Sequence, residues 1–497
     1  MATETARPNK EASVVTRDAD EFSTLLKQSF KPRTERAATE VENAVKTLVD
    51  QALVDSSVIK TDVLDTIEEM IAQLDKKLSA QINEVLHAPE FQQIEGAWRG
   101  LAYLVFQSET DATLKIRVMD VSKTELYRHL RQYPNAAWDQ SAMFKKVYEE
   151  EFGQLGGQPY GCLIGDYSFS HLPTDVQLLR DMSRIAAAAP APFFAAADST
   201  LMGMDTWNEL MNPRDISKVF DTPEYAAWKS LRDSDDARYV GLCMPRVLAR
   251  LPYGAKSEPV AEFAFEEDTD GHKGEKYAWM NAAYAMAANI NRAFKEYGWC
   301  ARIRGVQSGG EVEDLPTHTF PTDDGGVDLK CPTEIAITDR REAELGKAGL
   351  IPLVHRKNTD RAAFIGAQSL FKPRAYQNNP AATASSNLSS RLPYMFAVCR
   401  FAHYLKCIVR DKVGSYYEKE QLHKWLMNWI SEYVDGDPIN STEATKCRRP
   451  LAGAAINIVE NEENPGYYAA TFELRPHFQL EGMDIGLRLV SRLPVAK

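Results

Sequence analysis

Tyr467-Tyr468-Ala469-Ala470-Thr471-Phe472-Glu473-Leu474-Arg475 sets Tyr468, Ala470, Phe472 and Leu474 against Tyr467, Thr471, Glu473 and Arg475. A period of two is the pattern of a strand with one covered face and one wet face. The turn signal Asn464-Pro465-Gly466 stands directly before it, as strand punctuation requires. After Glu481-Gly482 a second alternation sets Ile485, Leu487 and Leu489 against Arg488, Val490 and Arg492. The last strand therefore lies almost at the terminus.

Working back from that tail, a helix is expected from Pro393 to Val413, and a second one carries Leu422, Trp425, Trp429 and Tyr433. Gln377 to Ser390 (QNNPAATASSNLSS) is polar and of low complexity, so it reads as a linker with a domain boundary near Ser385. From Phe91 to about Pro373, strand-like and helical stretches alternate, which points to one large α/β domain. Its strand candidates are Thr113 to Met119, Tyr160 to Tyr167, Pro192 to Ala197 and Ala261 to Phe265, and Tyr277 to Phe294 is expected to be a long Ala-rich helix. Ile185 to Ala197, broken by Pro190 and Pro192, is too short to cross a membrane and reads as a helix end turning into a buried strand.

The N-terminal part has a different texture. Residues 1 to 33 are polar, with one β-prone island, Ser13 to Thr16, stranded between charged neighbours. Thr34 stands as an N-cap before a helix marked by Ala38, Val41, Val45, Leu48 and Ala52. A second helix carries Leu64, Ile67, Ile71, Leu74, Leu78, Ile82 and Val85 at spacings of three and four, a narrow coiled-coil-like seam. Such a seam belongs either to a helical hairpin on its own domain or to helices of another chain. The expected division is an arm (1–33), a helical segment (34–88), a main α/β domain (89–376), a linker (377–390) and a C-terminal domain (391–497).

The 497 residues are 44% hydrophobic and 26% charged, the balance of a folded protein with substantial cores. A formal charge of −12 argues against nucleic acid, whose phosphates need a concentrated basic face. Seven scattered cysteines with no C-x-x-C spacing suggest neither a disulfide framework nor a thiol zinc cluster, and the polar start carries no secretory signal, so a cytoplasmic setting is expected.

Chemical motifs fail one after another. Gly305-Val306-Gln307-Ser308-Gly309 puts its serine one place too late for a nucleophile elbow. Gly254-Ala255-Lys256-Ser257 and Gly346-Lys347-Ala348 do not complete a phosphate loop, and no H-E-x-x-H pair exists. Glu266, Asp268, Asp270 and Gly271 mimic the start of a calcium loop, but Tyr277 stands where the bidentate glutamate belongs, so a solvated acidic turn is the better reading. No catalytic, cofactor-binding or metal-ligating residue is assigned, and a structural subunit is expected in preference to an enzyme.

Glu95-Gly96-Ala97-Trp98-Arg99-Gly100-Leu101, Gly165-Asp166-Tyr167, Leu231 to Gly254, Leu315-Pro316-Thr317 and Cys331 to Leu353 resemble the large sheath subunit of the bacterial type VI secretion system, the TssC or VipB family. The resemblance spans about Pro89 to the C-terminus. It implies a contractile tail-sheath-like subunit related to phage tail sheaths, of mixed α/β (α+β) class, with N-terminal helices and strand-exchanging terminal arms. It further implies co-assembly with a small sheath subunit into six-fold rings around an inner tube protein, docking on a baseplate, recycling by a Clp-class ATPase mainly through the small subunit, and no cofactor. Membrane insertion is not expected. In such sheaths terminal arms add strands to a neighbour's sheet, so Val14 and Val15 are expected to pair in neighbouring copies with strands containing Phe472 and Leu474, or Ile485, Leu487 and Leu489. The seam of Leu64, Ile67, Ile71, Leu74 and Leu78 is expected to meet the small subunit. Lys229, Asp339, Arg340 and Glu342 are implied to face the tube, with an ordinary solvated helix face as the alternative. A one-chain phage tail sheath protein and a soluble α/β enzyme with a site built from distant residues are the competing readings.

Overall fold

A computed structural model describes residues 63–213, 215–322, 324–412, 419–460 and 468–479, together with the helical positions Arg36, Thr39, Asn43 and Thr47. Ser13 to Thr16 and the strand expected at Ile485 to Leu489 lie outside the described residues, as does the turn Asn464-Pro465-Gly466. The chain divides into two compact units. The smaller comprises the described residues up to Phe91 together with Leu251–Lys276, and the larger comprises Gln92–Arg250 and the chain from Tyr277 onward.

In the smaller unit α1 (Val63–Leu86) carries the seam. A segment of residues 251–276 lies against its C-terminal half, where Asn83 donates from Nδ2 to the carbonyl of Glu266 at 3.2 Å and accepts from the amide of Asp268 at 3.0 Å. Ala261 to Phe265 is not a strand. Its aromatic residues are used in ring contacts, Phe263 against Phe265 and Phe265 against Tyr253, and no neighbouring strand is there to pair with it. The acidic turn is spent locally: Asp270 accepts from the amides of Gly274 and Glu275, Asp268 pairs with Lys276, and Glu266 accepts from the amide of Ala255.

The larger unit contains α2 (Pro89–Phe106, from Gln92 on), α3 (Lys123–Arg131), β1 (Leu163–Phe169), α4 (Pro173–Ala188), β2 (Phe193–Ala197), α5 (Ala226–Arg232), β3 (Val240–Met244) and β4 (Val247–Leu248). These are followed by β5 (Trp279–Met280), α6 (Ala282–Tyr297), β6 (Glu311–Val312), β7 (His318–Pro321), β8 (Val327–Lys330), α7 (Asp339–Lys347), β9 (Leu350–His355) and β10 (Ala362–Phe364). After α8 (Pro380–Ser389), α9 (Leu392–Lys412), α10 (Lys419–Ser431) and α11 (Glu443–Arg448), the described chain closes with β11 (Leu451–Glu460) and β12 (Tyr468–Pro476).

Six strands form one sheet in the order β1-β2-β3-β9-β10-β6, parallel across β1, β2, β3 and β9 and antiparallel at the β10 and β6 end. Both faces are covered, so the central strands read as unbroken apolar runs. Phe193, Ala195, Leu242 and Leu350 point into a core closed by α4, while Phe194, Cys243 and Ile351 point into a second core closed by α6. The Ile185 to Ala197 stretch behaves as expected: α4 ends at Ala188 and β2 begins at Phe193.

Three expectations fail for identifiable reasons. Thr113 to Met119 joins no ladder; Leu114 is buried and Ile116 packs beside Ile164, while the rest of the segment is largely exposed. The Ala-rich helix starts at Ala282, because Trp279–Met280 pairs with Val247–Leu248 and Asn281 then caps the helix by accepting from the amide of Ala283. The polar stretch 377–390 contains α8, with Asn379 as N-cap and Pro380 in its first turn. An Asn-Pro start followed by alanines is a helix signal that outweighs low complexity.

Candidate assembly surfaces

β11 and β12 form an antiparallel hairpin with Ile456 opposite Phe472 and Ala454 opposite Leu474. Leu451, Ile456 and Ile458 are buried, with Ala454, Phe472 and Leu474 packed beside them, against Phe401, Leu426, Ile430 and Trp299. Ala455, Asn457, Val459, Thr471, Glu473 and Arg475 cover the solvent face. Phe472 and Leu474 thus point at this chain's own helices. A strand added from another copy would meet the main chain of β12 and not those two side chains. Among the described residues the sheet has two strands, which leaves the outer edge of β12 without a ladder partner. An unpaired edge is a template for another strand.

The chain leaving β12 is tied down. Gln479 donates from its amide to Tyr394 Oη at 2.9 Å and from Nε2 to the carbonyl of Ala301 at 2.8 Å, and its Oε1 accepts from Arg304 Nε at 2.7 Å. His477 contacts the carbonyl of Arg449 at 3.0 Å. The root of the C-terminal arm is therefore fixed, while Ile485, Leu487 and Leu489 lie outside the described residues, as do Val14 and Val15.

On α1, Ile71, Leu78 and Val85 are exposed, whereas Leu74 and Ile82 are partly buried. The side chains of Leu64 and Ile67 lie outside the described residues. A groove of about 920 Å³ runs along this helix, lined by Ile71, Ala72, Ser79, Ala80, Asn83 and Ala264. A second apolar row, not picked out from the sequence, lies on α2: Ile94, Trp98 at 69% exposure, Val105, and Phe106 at 87%. Their spacing was readable as a helical period, but the neighbouring Gly96 and Gly100 face the opposite way. A Cβ at Gly96 would run into the carbonyl of Trp279, and one at Gly100 into the ring of Tyr284.

The charges implied to face a tube are separated by environment. Lys229 on α5 pairs with Asp221 at 3.1 Å on open surface. Asp339 and Arg340 are exposed at the start of α7, and Arg340 pairs with Glu344 at 2.8 Å. Glu342 is only partly exposed, and burial raises its carboxyl above the ordinary range, so it is the least suited of the four to a solvent-facing role.

The segments most conspicuous in the sequence grip one another. Glu95 of the EGAWRG stretch accepts from Arg250 Nε at 2.6 Å and from Arg99 Nε at 2.8 Å. Burial pushes its carboxyl up, and the hydrogen bonds from Arg250 and Arg99 outweigh that and hold it below the usual value. Arg232 donates to the carbonyls of Leu370 and Lys347, both at 2.9 Å, and burial draws its guanidinium down to about 10. Arg246 holds Glu334 with two bonds, at 3.0 and 2.8 Å. Arg341 donates to the carbonyls of Met211 and Pro213. These charges are committed to main-chain carbonyls and partner carboxylates of the same chain. Among the described residues no group of three His, Cys, Asp or Glu could hold a metal ion, and no helix is long and apolar enough to cross a membrane.

Two family models match this chain: EvpB/VC_A0108, tail sheath N-terminal domain, over residues 68–371, and EvpB/VC_A0108, tail sheath gpW/gp25-like domain, over residues 381–493. Together they define the class, a tail-sheath-like subunit of mixed helices and sheets. The type VI secretion system sheath protein TssC1 of Pseudomonas aeruginosa is 62% identical over 487 residues, covering 98% of each chain. A chain in the cryo-EM structure of the anti-feeding prophage baseplate aligns over 80% of this chain and 87% of its own, with 11% identity and a TM-score of 0.38. The chain belongs to the TssC/VipB family of type VI secretion sheath proteins, and its function is that of a sheath subunit.

Proposed function

We propose that this subunit co-assembles with a small sheath subunit in the cytoplasm, builds a helical tube of six-fold rings around an inner tube, and contracts to propel that tube. It performs no catalysis of its own. The observation that supports the reading best is the β11–β12 hairpin, whose apolar face is closed by its own helices while the outer edge of β12 has no ladder partner among the described residues. Such an edge accepts a strand through main-chain hydrogen bonds, a link that tolerates large rigid-body motion of the subunits it joins. Val14 and Val15 of one copy are the donated strand, and the arm bearing Ile485, Leu487 and Leu489 extends from the root fixed at Gln479. The seam on α1 receives the small subunit, and exposed charges such as Lys229 and Asp339 lie toward the tube. The baseplate contacts the end of the sheath, and a Clp-class ATPase recycles it mainly through the small subunit.

The test is deletion of Met1 to Arg17 with co-expression of the small subunit. Soluble heterodimers without tubes in negative-stain images are the expected result, and tubes of normal length and abundance would overturn strand donation.

A further inference from the structure

All seven cysteines are free thiols, and six of them sit where a thiol has no activating partner. Burial pushes Cys162, Cys243, Cys300, Cys399 and Cys447 upward. Cys407 has its sulfur 3.7 Å from Arg410 Nη2. Cys331 is different. It follows β8 directly and is partly exposed, and its sulfur lies 3.1 Å from Thr333 Oγ1. His355, the last residue of β9, hydrogen-bonds to the same sulfur. The imidazole is oriented from behind, because Nε2 donates to the carbonyl of Thr359 at 2.8 Å. A carbonyl only accepts, so Nε2 carries a hydrogen and Nδ1 is left for the thiol.

The charged groups nearest the pair are turned elsewhere. Lys330 lies over the rings of Tyr277 and Trp279 at 5.2 and 5.5 Å. Glu334 is held by Arg246, and Arg356 points toward Glu311 at 3.9 Å. The pair is therefore governed by its two members. Burial opposes charge on both, but the hydrogen bonds to His355 and Thr333 bring the Cys331 thiol below its ordinary value, and the bond to Cys331 brings His355 above its own.

We infer that Cys331 and His355 form a base-activated thiol that exchanges with low-molecular-weight disulfides, making Cys331 a modification site of the sheath subunit. His355 Nδ1 takes the thiol proton, and the thiolate attacks one sulfur of the disulfide. A new S–S bond forms to Cys331 as the old one breaks. The departing thiolate takes the proton from His355. Cys331 is oxidised to the mixed disulfide, and half of the small disulfide is reduced to a thiol. Thiolate, not thiol, is the attacking species. The adduct would stand beside Thr333, whose hydroxyl donates to the carbonyl of Ile335 at 2.8 Å, in a loop whose Pro332 carbonyl and Glu334 amide bond to Leu248 and Arg246.

The experiment incubates the full chain with glutathione disulfide from pH 5 to pH 9 and maps adducts by peptide mass spectrometry. Cys331 should be modified first, with a rate that holds up below pH 8. A His355→Asn substitution should slow that adduct roughly tenfold at pH 7, the change in thiolate fraction for about one unit of pKa. Cys407→Ser should leave it unchanged. First modification at another cysteine, or an H355N rate and pH profile equal to the parent's, would overturn the inference. Should H355N fail to fold, the parent protein decides alone: a Cys331 rate that rises with pH in parallel with Cys407 excludes activation.

Discussion

Glu95 shows how a family-defining stretch does its work at the scale of single atoms. Arg250 is 4% exposed at its side chain and Glu95 10%, so neither charge is hydrated if the other is lost. Breaking a buried pair from one side leaves an uncompensated charge and costs about 3–5 kcal/mol. Glu95→Gln should therefore lower stability by about 3 kcal/mol or more, read as an earlier denaturant midpoint. The pair also has a pH signature. The folded state holds the Glu95 carboxyl below its model value of 4.5, so its contribution is complete above that pH and fades as pH falls through and below it. The parent should lose stability more steeply than E95Q in that acid range, and parallel curves would show that the pair contributes nothing.

Helices and strands were legible where a period was uninterrupted and illegible where tertiary partners decided. β12 announced itself through Phe472 and Leu474, yet its partner β11 was overlooked, although Ala454, Ile456 and Ile458 alternate with Ala455, Asn457 and Val459 in the same way. Thr113 to Met119 has strand composition but no ladder neighbour, and propensity alone cannot supply one. The α1 seam was visible by spacing, and the structure adds that Ile71 is 47% exposed. That exposure sharpens its test. Replacing Ile71 and Leu74 by Asp should leave the melting of the free chain within a few degrees, because little is buried there without a partner. If a helix of the small subunit covers the seam, the same change buries two charges and removes two aliphatic contacts, costing about 3–5 kcal/mol of association, a loss of a hundredfold or more in affinity. Co-purification that survives the double change would remove α1 as the docking element. The Cys331–His355 pair could not be found by spacing at all, since β8 and β9 bring together residues with α7 between them in the chain.

Taken whole, the chain separates what holds the subunit together from what joins subunits. The Glu95–Arg250, Arg232–Leu370 and Arg246–Glu334 links sit inside the larger unit, whereas the expected joints lie at the two ends of the chain. A polymer that moves as rigid bodies needs this division, because contacts that deform with the motion would store strain in the fold itself. Changes at distant sites without shared partners add nearly independently, so two separate outcomes follow. E95Q should lower the melting temperature while sheaths still assemble well below it, and deletion of Met1 to Arg17 should abolish sheaths with melting unchanged. Combining them should give the melting temperature of E95Q alone and the assembly defect of the deletion alone. A further drop in melting temperature of several degrees in the combined variant would mean that the N-terminal arm also braces the fold of its own chain, and the division between body and joints would then fail.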